Sequence, residues 1–276
     1  MSVAGAWREE RVAVRGATLR VLRRGSGRPF YWGHGLTSSS AQEDQAGLRP
    51  WERLREGWEV LRVDARGHGA SSGDADPGGY RWGELAADLL ALADALGHPR
   101  LVAGGASMGA AVALHAAVAA PERVEALVLM IPPTAWATRP AQAARYRGDA
   151  ELAERSGLQA LAAAEAKRPP IPIFEGLFDP AELVRARFAA QDPAVLPAIL
   201  RGAAASDLPE PARVAKLTQP TLLLAWEGDE GHPVSTAERL AELLPQATLS
   251  VARKLADLGA WPGLVAGFCA ELGGRP

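Results

Sequence analysis

The residues best placed to do chemistry in this chain are Gly105-Ala106-Ser107-Met108-Gly109. They fit the pattern G-x-S-x-G. Leu101 to Gly104, just before, reads as a short strand. Ser107 to Ala119 reads as a small-residue helix that ends before Pro121. A serine at such a strand-to-helix turn is a candidate nucleophile. The turn strains the serine backbone, and glycine on both sides leaves room that bulkier residues would fill. The serine oxygen then stands clear at the top of a sheet, and the N-terminus of the following helix favours developing negative charge. The pattern alone recurs by chance in Gly- and Ser-rich chains. The strand before it and the helix after it make it a site candidate.

The elements that must hold this turn are readable from periodicity. Val12, Val14, Leu19 and Val21 flank Arg15-Gly16 as a hairpin. Pro29 to Trp32 is a short strand running into Gly33-His34-Gly35, and Glu59 to Val63 is another, ending at Asp64. Trp82 to Leu96 has helical spacing and stops at Gly97. Val124 to Ile131 and Thr221 to Trp226 are continuous apolar runs, expected of strands buried on both faces. Ser235 to Leu244 is a helix, Thr248 to Val251 a strand and Trp261 to Leu272 a final helix. The expectation is an α/β fold, a mostly parallel sheet of roughly eight strands with helices on both faces.

One stretch breaks the rhythm. From Thr138 to Leu217 no strand is legible, only helical segments (Asp149 to Lys167, Ala181 to Ala189, Pro193 to Ala204) and many prolines. The division expected is a core of residues 1–137 and 218–276 with a helical lid, 138–217, inserted between two core strands. Ile171, Ile173, Phe174, Leu177, Phe178 and Phe188 would line a pocket, or pack the lid against itself.

Composition narrows the partners. The chain has 276 residues, 48% apolar and with a formal net charge of -2, enough for a full core and without a case for nucleic acid or an anionic membrane. Cys269 is the single cysteine, so no internal disulfide or thiolate cluster can form; it reads as a buried structural thiol. Met1 to Glu10 lacks a basic start and apolar run, and no stretch is long enough to span a bilayer, so a cytoplasmic location is expected. A small-molecule substrate is expected as partner, with a homodimer possible.

With the turn at Ser107, Gly33-His34-Gly35-Leu36 and Val63-Asp64-Ala65-Arg66-Gly67-His68-Gly69-Ala70-Ser71, the chain resembles the α/β-hydrolase superfamily over nearly its whole length. The likeness is to the lid-bearing esterases, haloperoxidase-like enzymes and carbon–carbon bond hydrolases. It implies an oxyanion hole made by the backbone N–H groups of Leu36 and Met108, each such donor typically worth about 3 kcal/mol. It implies no metal or organic cofactor. His34, Asp64, Arg66 and His68 read as groups that fix loop geometry, with His34 also a pocket candidate. The resemblance places the catalytic acid at Asp229, four residues before Pro233; Glu227 and Glu230 read as solvated loop charges.

The same resemblance calls for a histidine after the last strand, at the position of Ala256, and none follows His232. Leu255 also stands where a glycine is usual, which argues for natural loss or relocation over a single engineered change. Of the five histidines, His98 reads as exposed at a turn, His115 as too far below Ser107, and His34 and His68 as loop residues. His232 could reach Ser107 as general base. It could equally cap the next helix or face solvent.

Three functions stay open. The first is a serine hydrolase on a small or medium apolar ester or thioester, using Ser107, His232 and Asp229. The second is a non-hydrolytic catalyst of this fold, a lyase or cyclase of secondary metabolism. The third is a ligand-binding pseudoenzyme. Trp32, Trp136 and Trp226 either wall the pocket or pack the core.

Overall fold

Side chains alternate along the strands, so one sheet feeds two cores. Tyr31, Leu61, Ala103, Leu127 and Leu223 face one side. Phe30, Trp32, Val60, Val102, Val128 and Leu224 face the other. The computed structural model describes residues 5–47, 49–54, 56–176 and 179–273.

Eight strands form the sheet: β1 Arg8–Val14, β2 Ala17–Gly25, β3 Gly27–Gly33, β4 Gly57–Val63, β5 Leu101–Ala106, β6 Val124–Met130, β7 Thr221–Trp226 and β8 Ala247–Ala252. Their order is β1-β2-β4-β3-β5-β6-β7-β8. β1 and β2 form the expected antiparallel hairpin, and β2 runs antiparallel to β4. From β4 to β8 every pairing is parallel. The fold is thus the mostly parallel α/β arrangement expected.

Helices α2 (Trp82–Ala95), α3 (Met108–Ala119) and α8 (Val234–Leu243) cover the first face. Helix α10 (Trp261–Gly273) covers the second, where Trp51 and Leu54, which follow α1 (Ser40–Ala46), also pack. The short α9 (Leu255–Leu258) joins β8 to α10. Cys269 lies buried in that second core, its thiol pushed up to about 12 by desolvation, which leaves it no thiolate to use as a nucleophile.

Between β6 and β7 lie α4 (Arg139–Glu165), α5 (Pro180–Ala189), α6 (Leu196–Ala204) and α7 (Pro211–Val214). Phe188, Leu161, Ile199 and Tyr80 form a separate apolar cluster there. Helix α4 begins ten residues before the expected Asp149, because 139–148 is rich in Ala and Arg, which favour helix without an apolar stripe. It breaks at Gly157, whose φ of 79° no helix accommodates. Ile171, Ile173 and Phe174 pack on the second core beside Trp226 and Trp261, and Phe188 packs within the inserted helices. Leu177 and Phe178 lie outside the described residues.

The chain leaves β3 toward β4 on one side, then returns to β5 on the other side of β3. Such a reversal of strand order opens a crevice at the carboxyl ends of the two strands. The loop after β3 and the turn after β5 therefore meet there.

Candidate active site

Ser107 follows the last residue of β5 and precedes the first of α3. Its φ and ψ of 53° and −110° are a strained turn for a residue with a side chain. The glycines explain why the turn is possible. A Cβ on Gly105 would lie 2.6 Å from the Gly33 carbonyl oxygen, and one on Gly109 would overlap that oxygen outright. Their absence lets α3 sit directly on β3. The Ser107 N–H donates to the Met130 carbonyl (2.9 Å), and the Ser107 carbonyl accepts from Ala111 N–H (3.0 Å). The backbone is thus fixed from both sides, and the side chain is left to face the crevice, 8% of the residue remaining exposed.

The loop after β3 runs against the serine, for a Cβ on Gly35 would stand 3.6 Å from Ser107 Cβ. His34 shapes this loop with three hydrogen bonds. Its Nε2 accepts from Ala65 N–H (3.0 Å), its Nδ1 donates to the Gly35 carbonyl (2.8 Å), and its own carbonyl accepts from Gly109 N–H (3.1 Å). The Gly35 carbonyl also accepts from Ser38 N–H (3.1 Å). Across a trans peptide the N–H opposes the C=O, so these donors hold the Leu36 N–H on the other side of that plane. Met108 opens α3, where a backbone N–H has no carbonyl of its own helix to serve. Met108 follows Ser107 directly, and Leu36 follows Gly35, where an added Cβ would lie against Ser107.

The loop after β7 supplies the rest. His232 N–H donates to the Asp229 carbonyl (3.1 Å), closing a turn that brings residues 229 and 232 side by side. Thr134 N–H donates to the Gly231 carbonyl (3.1 Å) and pins the turn to the segment after β6. His232 Nε2 stands 2.7 Å from Ser107 Oγ, and His232 Nδ1 stands 2.7 Å from Asp229 Oδ2. With Nδ1–H donating to the carboxylate, Nε2 is left to accept the serine proton.

Asp229 is held by three donors: His232 Nδ1–H, Trp226 Nε1–H on the same Oδ2 (2.9 Å), and Gly231 N–H on Oδ1 (2.9 Å). Burial pushes this carboxyl up, but the hydrogen bonds outweigh it and hold Asp229 down at about 2. Sequence reasoning gives Trp226 as a pocket wall or a core residue and does not foresee the indole donor. Nor did it foresee Thr134, whose part is a backbone N–H and leaves no mark in residue type.

The structure corrects several expectations. His34 is buried with both ring nitrogens bonded to backbone, and it lines a small cavity together with Val63, Met108 and Val112. Burial also lowers its affinity for a proton, which keeps the ring neutral. Trp32 faces the second core, stacked with Phe30 and tilted against Trp51, its Nε1–H donating to Glu43 (3.0 Å); it does not wall the crevice. Trp136 spends its indole N–H on the Pro209 carbonyl (3.1 Å) and packs on the first core. His98 is half-buried between Tyr31 (2.8 Å) and Glu59 (3.1 Å), not exposed. His115 bonds the Asp207 carbonyl (2.8 Å), away from Ser107. Asp64 accepts from Ser40, the first residue of α1, and from Ala70 N–H, Arg66 pairs with Asp88 of α2, and His68 bonds the Arg66 carbonyl. Ala256 lies exposed on α9.

The profile of the alpha/beta hydrolase fold family matches residues 33–259 of this chain. The chain belongs to that family. It is 31% identical over 207 residues to the RutD protein of Variovorax paradoxus, spanning 71% of this chain and 73% of that one. It is 30% identical over 194 residues to 3-oxoadipate enol-lactonase 2 of Acinetobacter baylyi, spanning 70% and 69%. Among solved structures, a hydrolase from Pseudomonas aeruginosa superposes with a TM-score of 0.77 at 27% identity over 97% of this chain and 98% of that one. The family's relatives named here as enzymes are hydrolases, and that class of chemistry is what the comparisons support for this chain.

Proposed function

We propose that this chain is a serine hydrolase whose base has moved onto the acid loop, acting on a small or medium apolar ester or thioester. The observation that carries the reading is the unbroken relay from Ser107 Oγ through His232 to Asp229, with both links at 2.7 Å. Ser107 Oγ attacks the acyl carbon as His232 Nε2 takes its proton. The Leu36 and Met108 N–H groups receive the oxyanion. The tetrahedral adduct collapses, the bond to the leaving oxygen or sulfur breaks, and His232 returns the proton to that group. Water then attacks the acyl-enzyme, giving its proton to His232. Collapse frees the acid and restores the Ser107 hydroxyl. No step needs a metal or cofactor.

Two further observations agree with this reading. A relative's name specifies an enol-lactonase, and a lactone is a cyclic ester. The inserted segment also touches the loop that carries Leu36 and the helix α1 after it: Gln191 Nε2 donates to the Thr37 carbonyl (3.1 Å), and Gln42 Nε2 of α1 to the Arg187 carbonyl (3.2 Å). That is where a lid of residues 138–217 would close over a small substrate.

The test is covalent labelling with a fluorophosphonate, located by mass spectrometry. Labelling at Ser107 is expected in the unchanged chain. It should vanish in Ser107→Ala and fall by about a thousandfold or more in His232→Ala, as loss of a general base implies. Labelling that survives His232→Ala at the original rate would remove His232 from the mechanism; no labelling of the unchanged chain would overturn serine hydrolysis itself.

A further inference from the structure

Most donors around Asp229 come from its own turn, and one does not. Trp226 ends β7, three residues before the acid, and its indole N–H reaches Asp229 Oδ2 at 2.9 Å, the same oxygen that takes the His232 proton donor. The indole has no freedom to choose another direction. Its ring stacks parallel to Trp261 of α10 (centroids 5.9 Å apart, 6° between planes). Phe174 meets it edge-on (5.0 Å, 88°). Trp226 and Trp261 are both buried.

We infer that Trp226 is a positioning residue for this site, holding Asp229 in the one rotamer that presents Oδ2 to His232. The inference rests on the serine-hydrolase reading above and adds a part that reading does not contain.

The physical case begins with the shortness of the loop. Asp229 and His232 share one turn, and an aspartate there has a competing use for its carboxylate: hydrogen bonds to nearby backbone N–H groups. Gly231 N–H already engages Oδ1 in this way (2.9 Å). A carboxylate held only by that bond can pivot about it. A second donor, fixed from outside the loop, stops the pivot and sets where Oδ2 lies. A hydrogen bond to a charged group is among the stronger neutral-donor contacts, and it gains from a partly dry setting. Trp226 satisfies both needs, because its ring is clamped by residues remote in sequence.

The arrangement also assigns work to the region after β8. That region carries no histidine, and Ala256 within it is exposed. Trp261 nevertheless lies behind Trp226, so the C-terminal helix still bears on the acid, through a stacked ring. Phe174 ties the same ring to the inserted helices. The charged groups near the loop do not compete for Asp229, since Glu227 pairs outward with Arg253 (2.9 Å) and Glu230 is exposed.

The experiment compares the unchanged chain with Trp226→Phe, and with a chain carrying benzothienylalanine at position 226. The second keeps the shape of the bicyclic ring and lacks only the N–H. Two quantities are read: the rate of fluorophosphonate labelling at Ser107, and the far-downfield proton resonance of His232 Nδ1–H, assigned by its loss in His232→Ala. Both substitutions are expected to slow labelling about tenfold. Both should also shift or broaden the His232 resonance. The benzothienyl chain keeps the packed bicyclic ring and should melt above Trp226→Phe while labelling no faster, which separates positioning from packing. Unchanged labelling and an unmoved resonance in the benzothienyl chain overturn the inference while leaving the hydrolase reading intact. Slower labelling with an unmoved resonance also overturns it, in favour of a packing role. No labelling of the unchanged chain overturns the hydrolase reading and this inference with it.

Discussion

Asp229 and His232 are three residues apart, and their side chains meet at 2.7 Å. The turn between them does this, because its closing hydrogen bond places the two side chains on one side of the loop. A carboxylate and an imidazole so placed need no help from a distant strand. Elsewhere at the residue scale, Glu43 on α1 is a buried acid whose Oε1 accepts the Trp32 indole N–H (3.0 Å), with the Arg62 guanidinium 3.9 Å away. Burial raises its carboxyl from 4.5 to about 8, the Trp32 and Arg62 contacts only partly opposing this. A raised acid stabilises the fold below its ordinary value and loses that contribution as pH rises through about 8. Glu43→Gln keeps an oxygen for Trp32 and removes the titration. Its melting temperature should therefore gain on that of the unchanged chain between about pH 5 and about pH 9. An offset equal at both ends would show that Glu43 is ionised throughout.

At the scale of elements, backbone strain gathers where strands end at the crevice. Among the described residues, the non-glycine positions with positive φ are Arg15, Thr37, Ser107, Ile131 and Trp136. Arg15 turns the β1–β2 hairpin; the other four lie at or just beyond the carboxyl ends of β3, β5 and β6. Each such residue costs about 1–3 kcal/mol, which the surrounding packing must offset. The close contact of α3 with β3 is a large part of that packing. Gly109→Ala is therefore expected to destabilise the chain by about 2 kcal/mol or more, since the new methyl would overlap the Gly33 carbonyl and push α3 off the sheet. Denaturant unfolding measures this directly, and a loss under about 0.5 kcal/mol would mean that the helix can move at no cost. Both flanking glycines are legible in the sequence because they stand at fixed spacing about the serine, although the carbonyl oxygen that demands them belongs to Gly33 of β3. The early start of α4 was not, because a helix of Ala and Arg has no apolar period to read.

At the scale of the molecule, the sheet order decides which loops can meet. The reversal about β3 brings the His34–Thr37 loop to the serine turn, and parallel β6 and β7 deliver Thr134 and the Asp229–His232 turn to the same edge. Ala256 follows β8, at the far edge of the sheet, and is exposed on α9. Restoring a histidine there should accordingly fail to rescue the site. The double variant His232→Ala, Ala256→His should label with fluorophosphonate no faster than His232→Ala alone. Recovery of labelling would show that the C-terminal segment can still reach Ser107.

With the resemblance supplying the oxyanion loop and the acid, the sequence by itself determined the candidate nucleophile and the strand–helix order that makes a mostly parallel sheet. Each is written in local pattern: glycines where a turn must be tight, apolar runs where strands are buried, a helix beginning where a strand stops. It left open which histidine, if any, faces Ser107, because 125 residues separate His232 from that serine and no periodicity spans them. Only the tertiary structure decided that, by closing the 229–232 turn and setting it beside β5. It decided as well that the Trp32 indole N–H reaches Glu43 while that of Trp226 reaches Asp229. Two tryptophans near strand ends look alike in sequence and both enter the second core; the groups beside each ring, Glu43 for one and Asp229 for the other, give them different work.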